Sequence, residues 1–217
     1  MPVTARHIAK SVLLASVLLY LPILLDPSAR GDPRVILVVL AAIVINATQP
    51  SVQFTELART IPTGGANNFC LYVAGIICFL VPVLDRAFLS KSEASLLNPM
   101  SLGGLVLMLV GMSWRLWSIA SLGSAFSSVA EIRPAQTIVT TGPYRYLRHP
   151  SYFGSIVMFV GIDVLLQSMW GGLATVAILI PAYLFRMRVE EAMLLDEFGE
   201  QYQAYQRTTR GLIPYIF

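Results

Sequence analysis

Charge is what this chain has least of. Only 12% of its residues are Asp, Glu, Lys or Arg, about half the share of an ordinary soluble domain. Too little polar surface remains to keep such a particle in water, and disordered, collagen-like and coiled-coil classes fall with it. Two cysteines exclude a disulfide scaffold, and two histidines leave a histidine metal centre short of ligands. Cys70 and Cys78 lie inside an apolar run and read as small core hydrophobes. The net charge of +3 is no nucleic-acid footprint. Nucleotide-binding glycine loops, a nucleophile elbow and HExxH are absent as well.

What is there is hydrophobic: 56% of residues. A charge at the bilayer centre is costly, so charges mark the ends of membrane spans. Read that way, residues 11–25 form a first span and residues 35–55 a second, with a polar end from Asn46. Arg59 to Asp85 brackets a third span whose apolar body is 69–84. Glu93 to Arg115 brackets a fourth that starts behind Asn98 and Pro99. Its Gly103, Gly104 and Gly111 suit close helix approach or merely membrane composition. From Pro150 to Phe185 the only charge is Asp163, in a stretch too long for one span and right for two. This predicts a helical hairpin that turns at Gly171 and Gly172, with Asp163 facing protein.

The expected fold is therefore all-α: a multi-pass transmembrane bundle of five to six spans with a C-terminal hairpin and a cytoplasmic cofactor site. Residues 1–122 supply the N-terminal helices; residues 123–217 supply a loop, the hairpin and an amphipathic tail, in one integrated domain. With six spans, Arg6, Lys10, Arg133, Arg145, Arg148, Arg186, Arg188, Arg207 and Arg210 fall on one side, which the positive-inside rule makes cytoplasmic.

The last stretch of the chain departs from generic membrane helix. Residues 137–154 read TIVTTGPYRYLRHPSYFG: a β-prone piece, a Gly-Pro turn, a basic aromatic cluster and a helix opened by Pro150. Residues 186–205 form a helix leaving the membrane with densely packed charges. A hairpin returns to the side it started from, so His149 and Glu190 should meet. Arg186 and Glu190, four apart, could also be a plain surface ion pair, and the tyrosines an interfacial belt.

The ordered set of Gly142 to Gly154, Arg186 to Glu191, Phe198 to Tyr205 and Leu212 to Pro214 resembles the isoprenylcysteine carboxyl methyltransferase family. Those are integral membrane enzymes that use S-adenosylmethionine and are related to phospholipid methyltransferases. The resemblance implies that cofactor is bound by Gln136, Thr137, Ile138, Val139, Tyr144, His149, Pro150, Ser151, Tyr152 and Glu190. It implies that Arg186 is the catalytic, substrate-holding residue, and that there is no metal. The implied acceptor is a prenylated C-terminal cysteine carboxylate or another hydrophobic molecule, its tail leaving into the bilayer between the fourth span and the hairpin. The membrane would be the endoplasmic reticulum in a eukaryote and the inner membrane in a bacterium. A phospholipid amine acceptor and an NADPH-dependent membrane reductase are the rival readings.

Overall fold

The computed structural model describes residues 31–48, 65–90, 95–123 and 137–212. The first predicted span, the end of the second, Arg133, Gln136 and Pro214 lie outside the described residues. Helix α1 spans Pro33–Thr48. Helix α2 spans Gly65–Leu84, carries Pro82 inside it, and runs into a π turn at Asp85–Leu89. Helix α3 spans Pro99–Leu122, beginning where the sequence predicts, and Asn98 caps it by accepting the Met100 N–H. Helix α4 is Pro150–Leu166. Helix α5 is continuous over Met169–Phe198 with a π turn at Thr175–Leu179. Helix α6 is Glu200–Thr208.

Among the described residues three helical segments, Phe69–Leu89, Pro99–Leu122 and Met169–Phe198, are long and apolar enough to cross a membrane, and Pro33–Thr48 and Pro150–Leu166 are shorter apolar helices. The protein is an integral membrane protein built from helices. The β-prone piece at 137–140 joins no ladder; a single parallel bridge pairs Leu147 with Arg210.

The hairpin forms, but its turn lies earlier than expected. Gln167 takes a left-handed conformation (φ 53°) at the end of α4, and Ser168 caps α5 by accepting the Gly171 N–H at 2.8 Å. Gly171 instead sits in the first turn of α5, where a Cβ would strike Asp163 Oδ1 and Pro82. Asp163 does face protein: it is buried and accepts the Thr175 hydroxyl at 2.7 Å. Cys78 is in the core as read from the sequence, whereas Cys70 is exposed.

Helices α3 and α4 pack antiparallel through glycine. Gly104 and Gly111 on α3, two turns apart, lie on the backbone of α4 at Leu165 and Met158. Gly154 and Gly161 on α4 lie on α3 at Arg115 and Met108. A Cβ at any of the four would fall within 3 Å of the opposing backbone, so only glycine permits this approach. Gly103 faces open space and has no part in it. At these four positions the seam leaves no room for an acceptor's tail. An apolar groove lies instead on the outer side of α3, lined by Leu109, Val110, Ser113, Trp114 and Trp117.

The antiparallel order leaves two polar ends. At the hairpin tip, Asp32 before α1 joins Arg34 (2.7 Å) and Arg86 (3.0 Å). Asp85 accepts Ser168 (2.6 Å) and Ser90 (2.5 Å) there. At the opposite end the start of α4 and the exit of α5 come together.

Candidate active site

Pro150 cannot donate a backbone N–H and has a fixed φ, which suits it to the first position of α4, and His149 is therefore the residue that precedes the helix. One turn in, Tyr152 projects toward α5. The hairpin returns α5 alongside, and Arg186 and Glu190 sit one turn apart on the facing side. Glu190 becomes the hub. Its Oε1 accepts Arg186 Nε at 2.6 Å and its Oε2 accepts the Tyr152 hydroxyl at 2.6 Å, with His149 Nδ1 3.6 Å away. The expected meeting of His149 and Glu190 is thus found. Tyr152 stacks on His149 with centroids 5.2 Å apart, and its other neighbour is Tyr183 at 4.8 Å.

The surface ion-pair alternative for Arg186 and Glu190 describes only half of what is seen. The pair exists, yet the arginine side chain is 2% exposed and the glutamate 22%. The cation is sunk in the protein, and the carboxylate is the part that reaches an opening.

A second carboxylate, Glu191, is the anchor of the whole assembly. It accepts Arg148 Nε at 2.7 Å, contacts His149 Nε2 at 3.1 Å and accepts Gln206 Nε2 at 3.2 Å. Arg148 also donates to the Thr209 carbonyl at 2.7 Å. Main-chain bonds from Arg148 to Arg210 and from His149 to Gly211 complete a clasp between the RHP segment and the tail. His149 is so held between two glutamates, one from each of two successive positions. The adjacency of Glu190 and Glu191 was a usable signal, since neighbours on a helix diverge by about 100° and can serve two different partners.

Tyr144 lies in a single 3-10 turn at Gly142–Arg145 and is buried. Gly142 (φ 59°) lies against Ser121 at the end of α3, so the turn is pinned there. Burial pushes the Tyr144 phenol well above its usual value, with Tyr205 and Glu190 adding to the rise, while Arg115 and a hydrogen bond with Ser151 oppose it. The phenol therefore stays a neutral donor. Tyr205 donates to the Tyr144 carbonyl at 2.7 Å, and burial raises its own phenol to about 12. Tyr202 and Tyr205 pack against one another with ring centroids 6.0 Å apart and tie the tail down. Ser151 is buried beside Tyr144. Thr137, Ile138 and Val139 lead into the turn as irregular chain, and Gln136 is not described.

The residues fit a sulfonium donor. A part-exposed carboxylate offers acceptors for ribose hydroxyls or an ammonium, the Tyr152 and Tyr183 rings offer π faces for a cation, and the opening turn of α4 offers backbone N–H groups to an anion. No group of metal-ligating side chains occurs among the described residues.

Residues 100–201 match the family model described as Phospholipid methyltransferase. A rice (Oryza sativa subsp. indica) protein named probable protein-S-isoprenylcysteine O-methyltransferase is 30% identical over 52% of this chain and 60% of its own length. The human protein-S-isoprenylcysteine O-methyltransferase is 29% identical over 66% of this chain and 51% of its own, and the Saccharomyces cerevisiae one 28% identical over 70% and 62%. The chain thus spans about two fifths to three fifths of the length of the curated relatives it matches. A solved structure of the eukaryotic intramembrane Ras methyltransferase ICMT shares the fold, with a TM-score of 0.59 at 23% identity over 94% of this chain and 74% of that one.

Proposed function

We propose that this chain, whose resemblance to the isoprenylcysteine carboxyl methyltransferase family is borne out by its relatives and its fold, is an S-adenosylmethionine-dependent membrane methyltransferase. Its acceptor is the carboxylate of a prenylated C-terminal cysteine, and its product a methyl ester. The observation that carries the reading is the triangle of Arg186, Glu190 and Tyr152, assembled from both arms of the hairpin with His149 against it.

Bound S-adenosylmethionine supplies an electrophilic methyl group on a sulfonium. Tyr152 and Arg186 hold the Glu190 carboxylate in one orientation, so it can bind the donor without first reorganising. His149 and Tyr144, fixed by Glu191, Ser151 and Tyr205, line the same chamber, as do Pro150, Ser151 and the Thr137 to Val139 stretch leading into it. An ionised carboxylate attacks carbon without losing a proton, so no general base is required. What the protein supplies is alignment, worth up to about 7–11 kcal/mol in well-oriented reactions, and a guanidinium that orients the acceptor. Arg186 is the residue for that role. The acceptor's tail lies in the outer groove of α3, which ends at Trp117 beside the Gly142 turn. The site end faces the cytoplasm, at the endoplasmic reticulum in a eukaryote and at the inner membrane in a bacterium.

The match to the phospholipid methyltransferase model favours a second reading, with an aminophospholipid as acceptor. The test is transfer of labelled methyl from S-adenosylmethionine by purified protein in liposomes, to N-acetyl-S-farnesylcysteine or to phosphatidylethanolamine. Base-labile product on the cysteine supports the first reading and base-stable product on the lipid the second. Absence of both overturns methyl transfer.

A further inference from the structure

Arg115 is a buried cation that the reaction just described does not use. It stands near the site end of α3 and is 5% exposed. The other buried arginines each have an acid: Arg34 and Arg86 share Asp32, and Arg186 has Glu190. Arg115 ion-pairs with no carboxylate among the described residues. Its Nη1 donates to the Ser155 hydroxyl at 2.9 Å, and its buried Nε has no partner among them. A guanidinium removed from water without a counter-charge is strongly unfavourable, so this position is built for an anion.

The surroundings agree. Gly154 lets the backbone of α4 lie directly on that of Arg115, which places the arginine beside the first two turns of α4. The helix N-terminus there favours negative charge. Ser155 donates to the Ser151 carbonyl at 2.8 Å, and Ser151 lies beside the Tyr144 phenol. The lining is thus a guanidinium with hydroxyls and no carboxylate paired with it among the described residues, whereas Arg186 is already neutralised by Glu190.

We propose that Arg115, with Ser155, Ser151 and Tyr144, forms a second pocket that binds a carboxylate. The proposal rests on the methyl-transfer reading, which brings two such groups: the amino-acid carboxylate of the donor and the carboxylate of the acceptor. Arg115 supplies the net positive charge that the Arg186–Glu190 pair lacks.

Binding without turnover tests it in nanodiscs, with wild type, Arg115→Gln, Arg115→Lys and Ser155→Ala. Two ligand pairs are compared: S-adenosylmethionine with its decarboxylated form, and N-acetyl-S-farnesylcysteine with its methyl ester. Wild type prefers the carboxylate in at least one pair. Arg115→Gln lowers that preference about tenfold or more while the uncharged partner binds as before. Arg115→Lys restores part of it and Ser155→Ala loses a smaller part. The pair that responds identifies whose carboxylate is held. If Arg115→Gln does not fold, the lysine and alanine variants carry the same comparison. Wild-type binding of both ligands with both preferences unchanged in the variants overturns the pocket alone. A wild type that binds neither donor nor acceptor overturns the methyltransferase reading and the pocket together.

Discussion

The two polar ends of the bundle use the same side-chain chemistry to opposite effect. At the hairpin tip, Asp32 is closed off by two arginines and Asp85 by two serine hydroxyls, and the ion-paired side chains are no more than 6% exposed. At the site end, Glu190 and Glu191 are 22% and 20% exposed and share a histidine. The tip spends its charges on one another and ties α1, α2 and the hairpin turn together. The site end sinks the cation of Arg186, and leaves the carboxylate of its pair at an opening. An ion pair whose members are unequally buried is a better pointer to a ligand than an ion pair as such.

The largest effect expected is one that erases the contrast, because both ends hang on the α3–α4 seam. Gly111→Leu would drive a side chain into the backbone at Met158, beyond what repacking absorbs at about 1–3 kcal/mol. Loss of monodisperse protein in detergent, and of donor binding with it, is the expected outcome; Gly103→Leu, which faces open space, should be silent in the same size-exclusion assay.

Next comes Arg186→Lys, which sharpens the contrast within the site end. Lysine cannot present a planar fork, so turnover should fall about a hundredfold, the equivalent of roughly 2.7 kcal/mol. Donor affinity should stay within about twofold. Steady-state kinetics beside a donor titration separate the two, and equal losses in both would assign Arg186 to the donor site.

A smaller effect, and the converse one, belongs to the tip. Asp32→Asn removes a charge from a buried cluster and should cost about 1–3 kcal/mol of stability, with turnover per folded molecule unchanged. Burial pushes the Asp32 carboxyl up, but hydrogen bonds and charge from Arg34, and the charge of Arg86, outweigh it and hold the group below its ordinary value of 3.8. Its stabilisation is therefore complete above that value and is lost as pH falls through the lower folded-state pKa. Thermal melts in detergent should show the wild type and variant converging only at acid pH, and a gap unchanged down to the lowest pH would remove Asp32 as the group responsible.

Much of this was legible in the sequence, for a physical reason. Lipid forbids unpaired charge, so the positions of Asp85, Asn98, Pro99 and Pro150 mark where the helices begin and end. The return of the hairpin then brings His149 to Glu190. The turn was misplaced because Gly171 and Gly172 look like a turn, whereas Gly171 is small to admit Asp163 and Pro82, a tertiary demand with no local signature. The β-prone residues 137–139 found no strand to pair with, and Cys70 showed that an apolar run does not by itself say which face is inside. The roles of Arg148 and Glu191 stayed hidden because the tail that they bind lies far along the chain and returns through Thr209 to Gly211 by main-chain bonds. The matching glycines of α3 and α4 needed both helices in register before their purpose was visible.

The most direct test of the difference between the ends is an equilibrium titration with S-adenosylmethionine, by calorimetry in nanodiscs, of wild type, Glu190→Gln at the site end and Asp85→Asn at the tip. The account predicts that wild type binds, that Glu190→Gln weakens binding about a hundredfold while the protein stays monodisperse, and that Asp85→Asn binds within twofold of wild type at a lowered melting temperature. Binding by Glu190→Gln as tight as wild type would contradict it.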